Sequence, residues 1–247
     1  MKLNVEIASD KIITWIQHWF TTNGPNHKAI IGISGGIDSS VVAALCVKAL
    51  GKDSVIGVIM PNGSQADIND SYALCGHLGI THYYGDINDA FRSIINICES
   101  KGKTASDQTF INLPPRLRMA VLYAIAQTEK GFVANTCNYS ESYIGYDTLW
   151  GDDTGSFAPI AELTKSEVKE VGKYLLLPSS LIQKSPADGL SGKTDEDSFG
   201  FTYDILDTYL RDHVCPEEIK IKIDSMHQAS EFKRRMVQIE CCHVFAE

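Results

Sequence analysis

Short apolar runs rich in β-branched residues alternate with helical patterns through the first half of the chain, and this alternation constrains the fold more than any other feature. The runs are AIIGIS (29–34), SVIGVIMP (54–61), THYYGDI (81–87) and GFVANT (131–136); helix-period segments at 38–50, 65–78, 88–100 and 114–129 lie between them. Parallel neighbours need a crossover of a dozen or more residues, and a helix is the usual one. The expected fold is therefore α/β, a doubly wound, mostly parallel sheet flanked by helices on both faces. An amphipathic helix precedes the first strand, with Ile12, Trp15, Ile16, Trp19 and Phe20 at helical spacing. Beyond residue 136 the sequence turns polar and Gly-rich, then helical from about 164 until Pro178. The segment 184–197, KSPADGLSGKTDED, has the composition of a mobile loop or lid, and helical segments follow at 198–211 and 216–228. A chain of 247 residues, 44% hydrophobic and with no linker-like stretch, can bury one core and is expected to be a single domain over 1–247.

Bulk properties exclude several classes of function. The formal net charge of −9 has the wrong sign for a protein that grips nucleic acid along its surface. No apolar run approaches the roughly 18 residues of a membrane span, and the start, MKLNVEIASDKIITW, lacks the apolar core and cleavage site of a secretion signal. The 7 cysteines are scattered, several inside apolar patterns, which reads as reduced thiols in a cytoplasmic protein. The run Cys241-Cys242-His243 has no second Cys/His pair at zinc spacing, so no metal is expected there.

In sheets of this kind ligands collect outside the carboxyl ends of the strands. Polar residues stand at those ends here: Ser34, Pro61-Asn62-Gly63, Asp86 and Asn135-Thr136. The first of these turns, SGGIDS (34–39), opens a helix directly after a strand. Backbone N–H groups at a helix N-terminus bind phosphate through oriented dipoles, and glycines allow close approach. A Gly-rich turn whose serine and aspartate merely cap the helix is the plainer alternative for a bare SGG. The Walker A loop carries a lysine for the β/γ-phosphates; this loop has none and places Asp38 there instead. A carboxylate beside a polyphosphate is repulsive unless a cation lies between them. Asp38 therefore implies a Mg2+–pyrophosphate complex and a second carboxylate from elsewhere in the chain.

SGGIDS resembles the signature of the N-type ATP pyrophosphatases (PP-loop enzymes), which hold the β,γ-pyrophosphate while a substrate oxygen attacks the α-phosphorus. Within that superfamily, NLPPRLRMAVLYAIAQ (112–127), NTCNYSESYIGYDTLWGDDTGSFAPIAELTKSEV (135–168), KSPADGLSGKTDEDSFGFTYDILDTYL (184–210) and FKRRM (232–236) are similar, in order, to the NAD synthetase family. The resemblance implies an adenine nucleotide alpha hydrolase-like fold. It also implies a two-step reaction: Mg-ATP adenylates the pyridine carboxylate of nicotinic acid adenine dinucleotide (deamido-NAD), and ammonia then displaces AMP to give NAD. Carried onto this sequence, it places ATP on Gly32, Ser34, Gly35, Gly36, Asp38, Ser39, Thr136 and Lys165, and Mg2+ on Asp38 and Glu141. Asp38, Glu141, Lys165 and Asp152 form the implied catalytic set, with Arg118, Asp152 and Lys233 on deamido-NAD.

Each of these positions also has a plain structural reading. Thr136 suits a strand end and Glu141 a polar loop. Lys165 lies in Thr-Lys-Ser-Glu, a helix start with Thr164 as cap and Glu167 three residues on. Arg116 and Arg118 are two residues apart and cannot share a helix face, which leaves room for at least one of them to be structural or at a subunit interface. Lys233 and Arg234 suit a basic helix end. The chain departs from the family pattern at Phe232, where many relatives carry histidine, and at Ala187, where some carry a hydroxyl residue for which Ser185 is the nearby substitute. Glutamine-using members carry a further nitrilase-like domain, so ammonia is the implied nitrogen donor. The family further implies a homodimer with the dinucleotide at the interface, and the apolar helix around 112–129 is the candidate contact. A tRNA-modifying PP-loop enzyme is disfavoured by the acidic charge and by the lack of any C-x-x-C. A sensor without turnover is disfavoured by the retention of Asp38, Glu141 and Lys165.

Overall fold

The computed structural model describes residues 3–184, 194–236 and 239–245. The strands β1 (Lys28–Gly32), β2 (Val55–Ile59), β3 (Thr81–Tyr84) and β4 (Gly131–Val133) form a sheet in the order β3-β2-β1-β4. All three pairings are parallel, with Ile30 opposite both Ile56 and Val133. The central strands are buried on both faces: every residue of β2 is buried, and so are Ala29, Ile30 and Ile31 of β1. This is why they read as continuous apolar runs rather than alternating ones. β3 is the edge strand and its residues THYY are all exposed.

The helices divide between the two faces. On one face α1 (Val5–Asn23), α2 (Ile37–Leu50) and α7 (Lys165–Tyr174) pack on one another. Their core joins Ile12, Ile16, Trp19, Val41, Leu45, Val168 and Val171. Most of α2 is buried, including Val41, Val42, Ala43, Ala44, Leu45 and Cys46, as befits a helix apolar nearly all round. On the other face α5 (Asp107–Glu129) lies across β1 and β4, with α4 (Asn88–Glu99) beside it. There Leu117, Val121, Leu122 and Ile125 cover Ile30, Ile56, Val58 and Val133. The first helical crossover, α2, and α3 (Ile68–Leu78) build the sheet outward from β1; α4 and α5 then return the chain to the far side of β1.

A third apolar cluster unites α6 (Tyr139–Ile144), α9 (Asp195–Phe199), α10 (Tyr203–Asp212) and α11 (Glu217–Met236) through Ile144, Phe199, Phe201, Leu206 and Ile223. The short α8 (Ser179–Gln183) follows Pro178. Gly145 ends α6 at φ 68°, and a Cβ there would stand 2.1 Å from the Ser230 Cβ, so glycine is what lets α11 pack so closely.

Several boundaries differ from the sequence expectation. α5 starts at 107, two turns before Pro114-Pro115, because Ser106 accepts from the Thr109 N–H and supplies an N-cap. The polar stretch after 136 contains α6, whose cap is Asn138. The loop-like segment 184–197 already turns helical at Asp195, where Thr194 and Asp197 close a capping box. Ser185 and Ala187 lie outside the described residues.

Candidate active site

The strand order reverses between β1 and β4, since the chain runs outward from β1 to β3 and returns beside β1. The turns that leave these two neighbouring strands part there and open a crevice. The turn after β1 is SGGIDS. Its hydroxyls brace it: Ser34 Oγ lies 3.1 Å from Ser39 Oγ and accepts from the Gly36 N–H at 3.2 Å. Gly35 adopts φ 77°, and a Cβ there would press on Asp70 and Ser71 at 3.2 Å. Asp38 falls in the first turn of α2. The turn after β4 leads to α6, whose cap Asn138 accepts from the Glu141 N–H at 3.0 Å and donates to Asp38 Oδ1 at 2.8 Å. One fully buried amide thus ties the two turns together.

Lys165 completes this arrangement. Its ammonium donates to Asp38 Oδ2 at 2.6 Å and to Glu141 Oε1 at 2.8 Å, and its side chain is only 3% exposed. It is the first residue of α7, held by the Thr164–Glu167 capping box and by a bond from its own N–H to Ser140 Oγ at 3.0 Å. The helix-start reading of Thr-Lys-Ser-Glu thus holds, and it leaves the Lys165 ammonium free to meet Asp38 and Glu141. Burial raises the Glu141 carboxyl to about 7; the Lys165 charge opposes the rise and Asp38 adds to it. For Lys165, burial favours the neutral amine, but the two carboxylates outweigh it and hold the ammonium charged. Two carboxylates on oxygen-rich turns, already sharing one cation, are a donor set suited to Mg2+.

From these groups an open cavity of about 1150 Å3 extends past Gly32, Thr136 and Arg118 to Asp152 and Lys233. It exceeds the ~300–1,000 Å3 of a site for one drug-sized ligand. Arg118 donates through Nε to the Met60 carbonyl at 2.9 Å, whereas Arg116 reaches the Leu149 carbonyl at 3.3 Å from an exposed position. The two arginines part as their spacing requires, and both reach the cavity lining. Asp152 accepts from the Thr148 N–H at 2.6 Å. It is open to the cavity, yet the crowding around it, with Asp147 nearby, raises its pKa against the pull of its backbone N–H bonds. Burial, Asp147 and Asp152 push Asp153 up to about 6. Lys233 lines the same end and spends its donors on Gly145 O at 2.8 Å, Asp147 O at 2.6 Å and Asp147 Oδ1 at 3.0 Å. Phe232 is 49% exposed at the rim.

A family model described as NAD synthase matches residues 8–237. The chain belongs to the NAD synthase family. It is 45% identical over 184 residues to the NH(3)-dependent NAD(+) synthetase of Methanococcus aeolicus, covering 73% of this chain and 72% of that one. Among solved structures it is similar to an NMN synthetase from Francisella tularensis, with TM-score 0.87 and 34% identity over 96% of this chain and 98% of that one. An NH3-dependent NAD synthetase from Campylobacter jejuni matches with TM-score 0.75 and 28% identity, over 96% and 99% of the two chains.

Several side chains of this NAD synthase site escape a sequence reading. Asn138 is the most telling, and the order Asn138-Tyr-Ser-Glu141, a cap residue followed at the third position by an acid, is a signal for it. Tyr203 OH donates to Asp195 Oδ2 at 3.0 Å and lies 3.4 Å from Glu141 Oε1. Ser140 donates to Asp207 Oδ1 at 2.5 Å, which braces the backbone that carries Glu141. Lys184 reaches back to the PP-loop turn, donating to Asp67, to Asp70 Oδ2 at 2.8 Å and to Gly35 O at 3.2 Å. None of these six contacts spans fewer than 8 residues, and no local pattern marks them. Arg234 donates to the Ser142 and Tyr143 carbonyls at 3.1 Å each, a structural clasp on the end of α6.

Proposed function

We propose that this chain is an ammonia-dependent NAD synthetase: Mg-ATP adenylates the pyridine carboxylate of deamido-NAD, and ammonia displaces AMP. The observation that carries the proposal is the pair Asp38 and Glu141, drawn together on Lys165 beside the SGGIDS turn, at 2.6 and 2.8 Å. Asp38 and Glu141 would hold Mg2+, which when bound neutralises the phosphate charge that a carboxylate nucleophile must approach.

The protein's own groups divide the remaining work. Gly32, Ser34, Gly35, Gly36 and Ser39 seat the triphosphate at the N-terminus of α2, with the Thr136 hydroxyl at the neighbouring strand end. Lys165 is held charged by its partners and follows the negative charge as pyrophosphate leaves. A pyridine carboxylate oxygen bonds to the α-phosphorus and the bond to the bridging oxygen breaks, which releases pyrophosphate. In the second half ammonia bonds to the carboxyl carbon, AMP departs, and one proton must leave the nitrogen. Asp152, with its pKa raised by its surroundings, is placed to take that proton. Arg118 and Lys233 complete the pyridine-nucleotide end, Lys233 by holding the 145–147 turn through Asp147.

We further propose a homodimer that uses the α4–α5 face. Ile97, Phe110 and Ile111 are exposed by 68%, 40% and 43%, and only Pro114 and Ala126 of α5 are buried within the chain. Sedimentation of the purified chain at twice the monomer mass supports this; a monomer at assay concentration overturns it.

The test of function supplies Mg-ATP, ammonium and deamido-NAD and follows all products. NAD, AMP and pyrophosphate should form in equal amounts; ADP and phosphate instead would refute the adenylation. The likeness to an NMN synthetase favours a second reading in which nicotinic acid mononucleotide is the acyl donor. Competition of the two donors in one reaction decides between them by the ratio of kcat/KM.

A further inference from the structure

The fold brings a third metal-ligand type to the Cys241-Cys242-His243 run. Glu162, about eighty residues earlier, places a carboxylate oxygen 2.6 Å from His243 Nδ1. Cys241 Sγ lies 4.0 Å from the same nitrogen. One ligand atom from each of Glu162, Cys241 and His243 lies within 4.8 Å of the others. The second carboxylate oxygen, Glu162 Oε2, is buried and has no hydrogen-bond partner among the described residues. A buried, unsatisfied oxygen on a carboxylate is costly and suggests a cation.

The backbone around these ligands is already fixed. Ala158 and Cys241 form a parallel bridge, and the Ala158 N–H donates to the Glu240 carbonyl at 2.9 Å. Trp19 Nε1 donates to Glu240 Oε2 at 2.9 Å, and Arg211 donates to the Glu162 carbonyl at 2.6 Å. Neither ligand-bearing segment has to be recruited from disorder.

We propose that Glu162, Cys241 and His243 form a surface Zn2+ site that clamps the C-terminal segment to the stretch leading into α7. Thiolate, imidazole and carboxylate together suit zinc rather than the oxygen-seeking Mg2+ or Ca2+. Zinc bonds of ~2.0–2.3 Å set tetrahedral ligand separations of about 3.3–3.6 Å. The carboxylate–imidazole contact must open from 2.6 Å and the thiol–imidazole contact must close from 4.0 Å, each by under about 1 Å. Binding displaces the Cys241 thiol proton to solvent. The His243 side chain is 69% exposed, so the fourth position faces water. The clamp joins Glu162, three residues before Lys165, to a segment that begins a few residues after Lys233.

The test uses the full chain freed of metal and then kept in excess Mg2+, which occupies oxygen-only sites. Added Co2+ should give a thiolate-to-cobalt charge-transfer band at one equivalent, and Zn2+ should displace the cobalt and raise Tm. Cys241→Ser should abolish the band, while Cys98→Ser, at an exposed cysteine outside the cluster, should retain it. His243→Ala, at a position 69% exposed, should weaken zinc binding by more than the roughly 10–100-fold that losing an outer-shell partner costs. No charge-transfer band, a band that survives Cys241→Ser, or a Tm indifferent to Zn2+ overturns the proposal.

Discussion

Replacing Lys165 by methionine leaves Asp38 and Glu141 on either side of an apolar chain with no cation between them. The lysine is 3% exposed and bonded to both acids, at 2.6 and 2.8 Å, and the acids are only 18% and 15% exposed, so solvent compensates in part at most. Removing one partner of a buried ion pair costs about 3–5 kcal/mol. For a chain of this size that is a fall in Tm of roughly 6–20 °C. The loss should depend on pH in a definite direction. Burial and Asp38 hold the Glu141 pKa near 7, above its usual 4.5. A carboxyl raised in this way contributes most to stability below its unfolded pKa, and the contribution is lost as pH rises through the folded value. Without the ammonium the raised pKa moves further up. Near pH 6 a proton on one carboxyl replaces part of the missing charge; near pH 8.5 the two charges repel, and the variant's deficit should widen over that interval. Scanning calorimetry of both proteins in EDTA at the two pH values measures it. Added Mg2+ should then raise the variant's Tm more than that of wild type, because it restores the lost cation. A deficit that is the same at both pH values, or a variant as stable as wild type, would refute the picture of two acids facing one buried charge.

Asp38→Asn can keep the bond from Asn138 on its remaining amide oxygen but removes half of the carboxylate pair; adenylation, read as ATP–pyrophosphate exchange, should fall by about 10²–10³ and recover partly at high Mg2+. Asp152→Asn should leave that exchange intact while NAD formation at saturating ATP declines, and the decline should steepen at low ammonium. Gly145→Ala meets the Ser230 side chain at 2.1 Å and holds alanine at φ 68°, so it should destabilise by more than about 2 kcal/mol. Adding Ser230→Gly should restore most of that loss, leaving roughly 1 kcal/mol of left-handed strain, as measured by urea unfolding.

The sheet was legible because parallel strands buried on both faces leave an unmistakable record: β1 and β2 lie inside AIIGIS and SVIGVIMP almost to the residue. The PP-loop turn was legible for a related reason, since its glycines, hydroxyls and acid are contiguous. What could not be read was whatever depends on chain segments meeting. Asn138 bonds Asp38 across 100 positions and Lys184 bonds Asp70 across 114, and neither leaves a periodic trace. The start of α5 was missed because Pro114 and Pro115 mimic a helix N-terminus, while the cap at Ser106 has ordinary composition. The spacing of Cys241 and His243 cannot register Glu162, which packing alone brings beside them.

The position of the candidate site follows from one topological fact. Because β4 returns to the free side of β1, the turns that leave these two strands diverge at the edge where α2 and α6 both begin. Two helix starts next to each other concentrate unpaired N–H groups and attract negative charge. Asp38 and Glu141, each in the first turn of its helix, satisfy that preference. Lys165, at the start of a third helix, then holds the two acids together while its own backbone is occupied by a cap. The same N-termini that favour the carboxylates favour phosphate, so in the proposed function the triphosphate would join Asp38 and Glu141 around Lys165 and Mg2+ rather than displace them. On that proposal the SGGIDS turn keeps an aspartate as a metal ligand, and its cation, Lys165, comes from 127 residues away.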